Sequence, residues 1–65
     1  MFIKLHFADT LDPLYVNVYK IIAFHRDQGD SGYTLLYMEI GDGEDGYYLV
    51  EESPETISGL IGLVS

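Results

Sequence analysis

The six residues Gly41-Asp42-Gly43-Glu44-Asp45-Gly46 set three carboxylates among three glycines and are the densest candidate chemistry in the chain. Carboxylates at this density could hold calcium, and glycines could cradle a phosphate. Neither chemistry fits the spacing. A calcium loop needs oxygen ligands at positions 1, 3 and 5, glycine at 6 and a bidentate glutamate at 12. Counting from Asp42 puts Gly46 at position 5 and Ser53 at position 12, and counting from Asp45 puts Val50 at position 6. A phosphate loop needs Lys followed by Ser or Thr, and three acids would repel the anion. The segment reads instead as the connection of a hairpin, with glycine supplying positive φ. Its acids form a contact surface in the second reading.

Other chemistry is sparse. His6 and His25 are the two histidines, and a metal site would need them together with a third ligand. Glu51-Glu52 is a carboxylate pair of the kind used in general acid–base work. In an extended segment, however, adjacent side chains point to opposite faces, so the pair reads as a solvated approach to a helix. Ser31, Ser53, Ser58 and Ser65 lie outside any G-x-S-x-G elbow, and there is no cysteine. The expectation is a non-enzyme without a metal or cofactor.

The 65 residues carry a net charge of −8. Lys4, Lys20 and Arg26 are the cations, and residues 27–65 hold nine acids with no Lys or Arg. Nucleic-acid binders need cations to displace phosphate counterions, and anionic membrane surfaces make the same demand. Direct nucleic-acid and membrane binding are therefore not expected, whereas a partner with a basic surface is. No apolar run reaches the roughly 18–20 residues of a membrane span. The first residues lack a signal-peptide pattern, so a cytoplasmic location is expected. Without cysteines, a domain of this size needs a well-packed core, self-association or both.

The elements that must position these groups are legible from periodicity. Residues 2–8 alternate, with Ile3, Leu5 and Phe7 on one face, as in a half-buried strand. Asp9 to Pro13 is a turn, and Leu14 to Val16 a second strand. Asn17 predicts a kink or single helical turn over Asn17–Lys20, and Ile21 to His25 a third strand. Asp27 to Gly32 is a hairpin loop. Tyr33 to Ile40 is the longest strand, and Tyr47 to Val50 the last. Ser53-Pro54-Glu55 opens a helix with an N-cap, a first-turn proline and an acid at the positive end of the helix dipole. Ile57, Leu60, Ile61 and Val64 form its apolar stripe. Gly59 and Gly62 weaken the helix and suggest a close backbone approach to the sheet or to a second copy. The chain thus reads as one domain over residues 1–65, of the α+β class. We expect a small antiparallel sheet or partly closed barrel of four to five strands with one C-terminal helix (β-β-β-β-α).

Six tyrosines stand out for a chain of this length: Tyr15, Tyr19, Tyr33, Tyr37, Tyr47 and Tyr48. Tyrosine joins apolar area to a polar tip and is enriched in interfaces. Six Tyr and three Phe cannot all be interior in so small a domain. Tyr37, Tyr47, Tyr48, Asp42, Glu44, Asp45, Glu51 and Glu52 are accordingly the candidate interaction residues.

The layout resembles the small flagellar and swarming-motility proteins of the FlbD/SwrD type, and equally the short phage and prophage proteins of the same plan. Val16-Asn17, then Ile21 and Ile22, then an alternating apolar strand carry the likeness. It closes with Gly46, Tyr48, Val50, Glu52-Ser53 and Ile57 in a G-x-Y-x-V-x-E-S-x-x-x-I arrangement. The resemblance implies an architecture without catalysis. The acidity and the glycine-rich loops depart from the flagellar members and favour the phage-like branch. The expected function is an acidic, self-associating protein–protein interaction module, phage or mobile-element encoded, that binds or occludes a host protein with a basic surface. The alternative is a nucleic-acid-mimicking inhibitor of a host defence or DNA-processing enzyme. A nucleotide sponge and a flagellar motor accessory are further readings.

Overall fold

Apolar alternation in the first residues and again around Val16 produces two short strands that bury one face each. The computed structural model, which describes residues 1–29 and 32–64, places them as β1 (Phe2–His6) and β2 (Pro13–Asn17). They pair antiparallel in continuous register from Phe2↔Asn17 to His6↔Pro13. The turn between them holds Leu11 at φ 63°, a left-handed value that costs a side-chain-bearing residue about 1 kcal/mol. Two bonds of 2.9 Å fix that turn, Leu11 N–H to the Phe7 carbonyl and Phe7 N–H to the Asp12 carbonyl.

Asn17 then breaks the strand as expected, but by a different mechanism. It stays extended (φ −79°) and its side chain accepts from Tyr19 N–H, capping a single 3₁₀ turn over Val18–Lys20. The chain resumes as β3 (Ile21–Arg26), β4 (Thr34–Gly41) and β5 (Glu44–Val50), an antiparallel sheet in the order β3-β4-β5. Asp30 and Ser31 of the predicted 27–32 loop lie outside the described residues.

Among the described residues, the two sheets are joined through their backbones at one seam. Phe7 bridges Val50, Ala8 N–H donates to the Leu49 carbonyl (3.0 Å) and Glu51 N–H to the His6 carbonyl (2.9 Å). β2 and β3 do not pair, so the sheets do not close into a barrel. The architecture is α+β, five antiparallel strands in two sheets with one C-terminal helix.

The acidic hairpin is shorter than the sequence suggests. β4 runs to Gly41 and β5 starts at Glu44, so Asp42-Gly43 alone is the tip, and Glu44, Asp45 and Gly46 are strand. Gly43 takes φ 77°, a conformation glycine reaches without a Cβ clash. The register slips between Glu39↔Asp45 and Gly41↔Glu44, leaving Ile40 bulged. The Ile40 side chain lies over Gly46, where a Cβ would collide with Ile40 Cδ1. Gly46 is thus a strand residue kept small by its neighbour across the ladder.

The helix α1 (Pro54–Val64) begins as predicted. Ser53 Oγ accepts from Thr56 N–H at 3.1 Å, and the Ser53 carbonyl accepts from Ile57 N–H at 3.0 Å. Ile57 is fully buried with Ile3, Leu5, Val16, Leu36, Met38 and Val50, while Leu60, Ile61 and Val64 pack on the margin. The core therefore lies between the two sheets and α1. Gly59 and Gly62 do not mediate a close approach to the sheet. A Cβ at either position would meet nothing within 4 Å, so both face open space.

Candidate protein-interaction surface

The face of the three-stranded sheet that looks away from the core is built of cross-strand pairs. Leu35 stands opposite Leu49, Tyr37 opposite Tyr47, and Glu39 opposite Asp45. From β3, Ala23 lies beside Tyr37 and His25 beside Leu35. None of these residues belongs to the buried cluster. Alternation explains the division, because Leu36, Met38 and Tyr48 take the inner face and their neighbours in sequence must take the outer one.

Three rings run across this face. The His25 and Tyr37 rings stack with centroids 5.6 Å apart and 30° between planes. Tyr37 and Tyr47 are 6.0 Å apart at 49°. Tyr47 is 65 % exposed. Next to the rings, Glu39 and Asp45 face each other as like charges, an arrangement that costs a sheet some stability. Lys20 Nζ reaches Glu39 at 3.4 Å, leaving Asp45 and the nearby Asp42 and Glu44 as surplus negative charge at the hairpin end.

Tyr48 is separated from Tyr37 and Tyr47. It points inward, half-buried against the core, with its ring edge-to-face to Phe7 at 5.9 Å. The other predicted acids lie at the opposite end of β5. Glu44 and Glu51 are seven residues apart along an extended chain, about 20 Å. The acids therefore form two groups and not one continuous surface.

At that second end, Glu51 and Glu52 lie in a bend between β5 and α1, Glu51 exposed and Glu52 half-buried, and their carboxylates converge instead of taking the opposite faces expected of an extended segment. Glu52 Oε1 accepts from His6 N–H at 2.9 Å, and Oε2 lies 2.6 Å from His6 Nδ1. A carboxylate accepts only, so Nδ1 carries the hydrogen. Burial pushes the Glu52 carboxyl up, but the bonds from the His6 ring and backbone outweigh it and hold it below its ordinary value. Thr34, the buried polar residue of the core, donates to the Glu52 carbonyl at 2.6 Å. Glu52 is thereby a structural latch between β1, β4 and α1. Glu55 is also held low, first by its own backbone N–H at the helix start and then by Arg26, whose guanidinium lies 3.3 Å away.

His6, Glu51 and Glu52 offer three ligand atoms within 4.8 Å of one another. Residues of that kind could hold a divalent cation, although Glu52 already occupies His6 Nδ1. His25 is not part of it. Its Nδ1 lies 2.9 Å from the Arg26 carbonyl on the other sheet, so the two histidines do not form a pair. The His6–Glu52 contact spans 46 residues, and the residue types alone gave no signal of it.

A cleft of about 220 Å³ opens between the sheets, lined by Leu14 to Asn17 of β2, by Lys20, by Met38 to Ile40 of β4 and by Tyr48. No helix among the described residues is long and apolar enough to cross a membrane. Comparison with protein-family models, with curated proteins and with solved structures finds no match for this chain.

Proposed function

We propose that the chain is a non-enzymatic, cytoplasmic protein-interaction module, and that it binds a basic segment of a partner protein on the outer face of the β3-β4-β5 sheet. The observation that carries this reading is the adjacency of two cross-strand pairs, Tyr37/Tyr47 and Glu39/Asp45. Tyrosine faces attract a guanidinium by cation–π contact, and carboxylates accept its hydrogen bonds. Like charges held opposite each other gain when a cation enters between them. The resemblance to FlbD/SwrD-type and short phage proteins rests on residues that serve folding, such as the Glu52-Ser53 step into the helix, and does not choose a partner.

A nucleic-acid mimic is less well supported, because the acids divide between the two ends of β5. A nucleotide sponge is less well supported because Lys20 and Arg26 are engaged by Glu39 and Glu55. Self-association through this face would bring two hairpin ends of like charge together.

The test titrates isotope-labelled protein with a blocked octapeptide alternating arginine and serine. Amide shifts should concentrate at Tyr37, Glu39, Asp45 and Tyr47. Affinity should fall several-fold between 50 and 300 mM salt, and Tyr47→Ala or Asp45→Asn should each weaken it about five-fold. Equal affinity in both variants, or shifts scattered over the chain, would overturn the proposal.

A further inference from the structure

Each sheet has two edge strands; β1 and β5 adjoin each other at the seam, and β2 and β3 carry the edges away from it, which the structure treats differently. Antiparallel ladders alternate residues whose backbone bonds point to the partner strand with residues whose bonds point away. Val18 N–H donates to the Met1 carbonyl and Phe7 N–H to the Asp12 carbonyl, both at 2.9 Å. These bonds fix the phase, so Leu14 and Val16 face β1, and Pro13, Tyr15 and Asn17 face away. The bonds His6 makes toward the β5–α1 end agree with this phase. The outer edge of β2 therefore presents N–H and C=O of Tyr15 and Asn17 and C=O of Pro13.

Free edges are usually blunted by charge, proline, bulges or a covering element. On β3, Asp27 N–H donates to the Tyr33 carbonyl, which by the same reasoning turns the Arg26 backbone outward. The His25 ring lies against that outward carbonyl, the strand is bulged between Ile21 and Ala23, and Arg26 reaches Glu55. On β2 the register is unbroken, no residue is charged, and Pro13 stands at one end only. The cleft runs along this edge. Its lining takes four consecutive residues, Leu14 to Asn17. Side chains that alternate between faces cannot all line one cleft, so the backbone edge itself forms that wall.

We propose that β2 is a strand-addition site that takes an extended partner segment in which apolar and basic residues alternate. The main chain of the segment hydrogen-bonds Tyr15 and Asn17. Its apolar residues point inward over Met38 and Tyr48. Its basic residues stand on the outer side, toward Glu39, which lines the cleft beside Lys20, and toward the hairpin that follows Glu39 in the chain and carries Asp42 and Asp45. Charge selects this occupant over a second copy, because each copy brings a net charge of −8. The inference extends the reading of the chain as a module for basic partners, and it uses a different surface from the outer sheet face.

The probe is a blocked octapeptide alternating valine and lysine, titrated into labelled protein. Tyr15 and Asn17 amides should shift and gain at least ten-fold protection from hydrogen exchange. Binding should fall at least ten-fold when the lysine amides, which stand opposite Tyr15 and Asn17 in an antiparallel ladder, are N-methylated, and about five-fold when glutamate replaces lysine. Tyr15→Pro should abolish it, since that N–H serves no bond to β1. Should this variant fail to fold, the N-methylated peptide still decides. Unchanged Tyr15 and Asn17 amides, or equal binding of the methylated peptide, would overturn the proposal. So would protection of these amides in a peptide-free dimer, which would make a second copy the occupant. Failure here with intact Tyr37 and Tyr47 shifts for the arginine peptide would leave the outer-face reading standing, and the reverse result would remove only that one.

Discussion

Replacing Glu52 should unlatch β1 from the helix start, and the cost can be worked from its two bonds. Its carboxylate accepts from His6 N–H at 2.9 Å and pairs with His6 Nδ1 at 2.6 Å, with 14 % of the Glu52 side chain exposed. Bonds to charged groups contribute about 1.5–3 kcal/mol, and an orphaned buried donor costs about 1–3 kcal/mol. The His6 ring is 36 % exposed, so water can replace part of its lost bond, whereas the backbone N–H is less accessible. Glu52→Ala should then cost about 2 kcal/mol, and Glu52→Gln, whose amide oxygen can keep one bond, about 1 kcal/mol. For a domain of this size, 2 kcal/mol lowers Tm by roughly 10 °C. Glu51→Ala, a change at the exposed neighbour, should cost under about 0.5 kcal/mol. The sign with pH follows from the direction of the shift. A carboxyl held below its ordinary 4.5 contributes stability that is present above that value and is lost as pH falls through the folded value. Urea unfolding of wild type and Glu52→Gln between pH 7 and pH 2.5 should show a gap that narrows below about pH 4.5. A gap that stays constant over that range, or a Glu52→Ala cost no larger than that of Glu51→Ala, would refute the latch.

Two further substitutions test the backbone. Gly59→Ala and Gly62→Ala should each raise stability by about 1 kcal/mol, read by thermal unfolding, because both positions face open space. A loss instead would mean that something covers that side of α1. Gly46→Ala should cost about 1–2 kcal/mol by forcing Ile40 aside, and the cost should largely vanish in an Ile40→Ala background. A double-mutant cycle with no coupling would remove the contact from the account.

The elements themselves were legible because periodicity dictated them. The alternation in β1, the stripe in α1 and the Ser53-Pro54 start all act through neighbours in sequence. The acidic hairpin was half-legible. Turn composition marked its place, but nothing local shows that Ile40 bulges, and only that bulge explains Gly46 and carries β5 back to Glu44. Asn17 was legible as a break, though the side-chain cap on Tyr19 N–H, not a left-handed backbone, makes it. Among the candidate interaction residues, Tyr37 and Tyr47 share a face because the β4–β5 register sets them opposite each other. Tyr48 had to leave that face, since adjacent strand residues cannot share one. The Glu52–His6 latch and the open edge of β2 were illegible. Both depend on which strands meet across long stretches of chain, and residue types do not encode that.

The seam at Phe7 and Val50 also orders how the molecule assembles. Each sheet is made of strands adjacent in sequence and can form from local encounters, which are fast. The bonds of the seam join residues more than 40 positions apart (Phe7–Val50, Ala8–Leu49, His6–Glu51). Closing a loop of that size costs about 3 kcal/mol of chain entropy, which no single seam bond offsets. The seam, the latch and the docking of Ile57 therefore form together, after the two ladders. In the reverse direction, opening the seam uncovers the core that both ladders share, Ile3, Leu5 and Val16 on one side and Leu36, Met38 and Val50 on the other, so neither ladder outlasts the clasp that joins them.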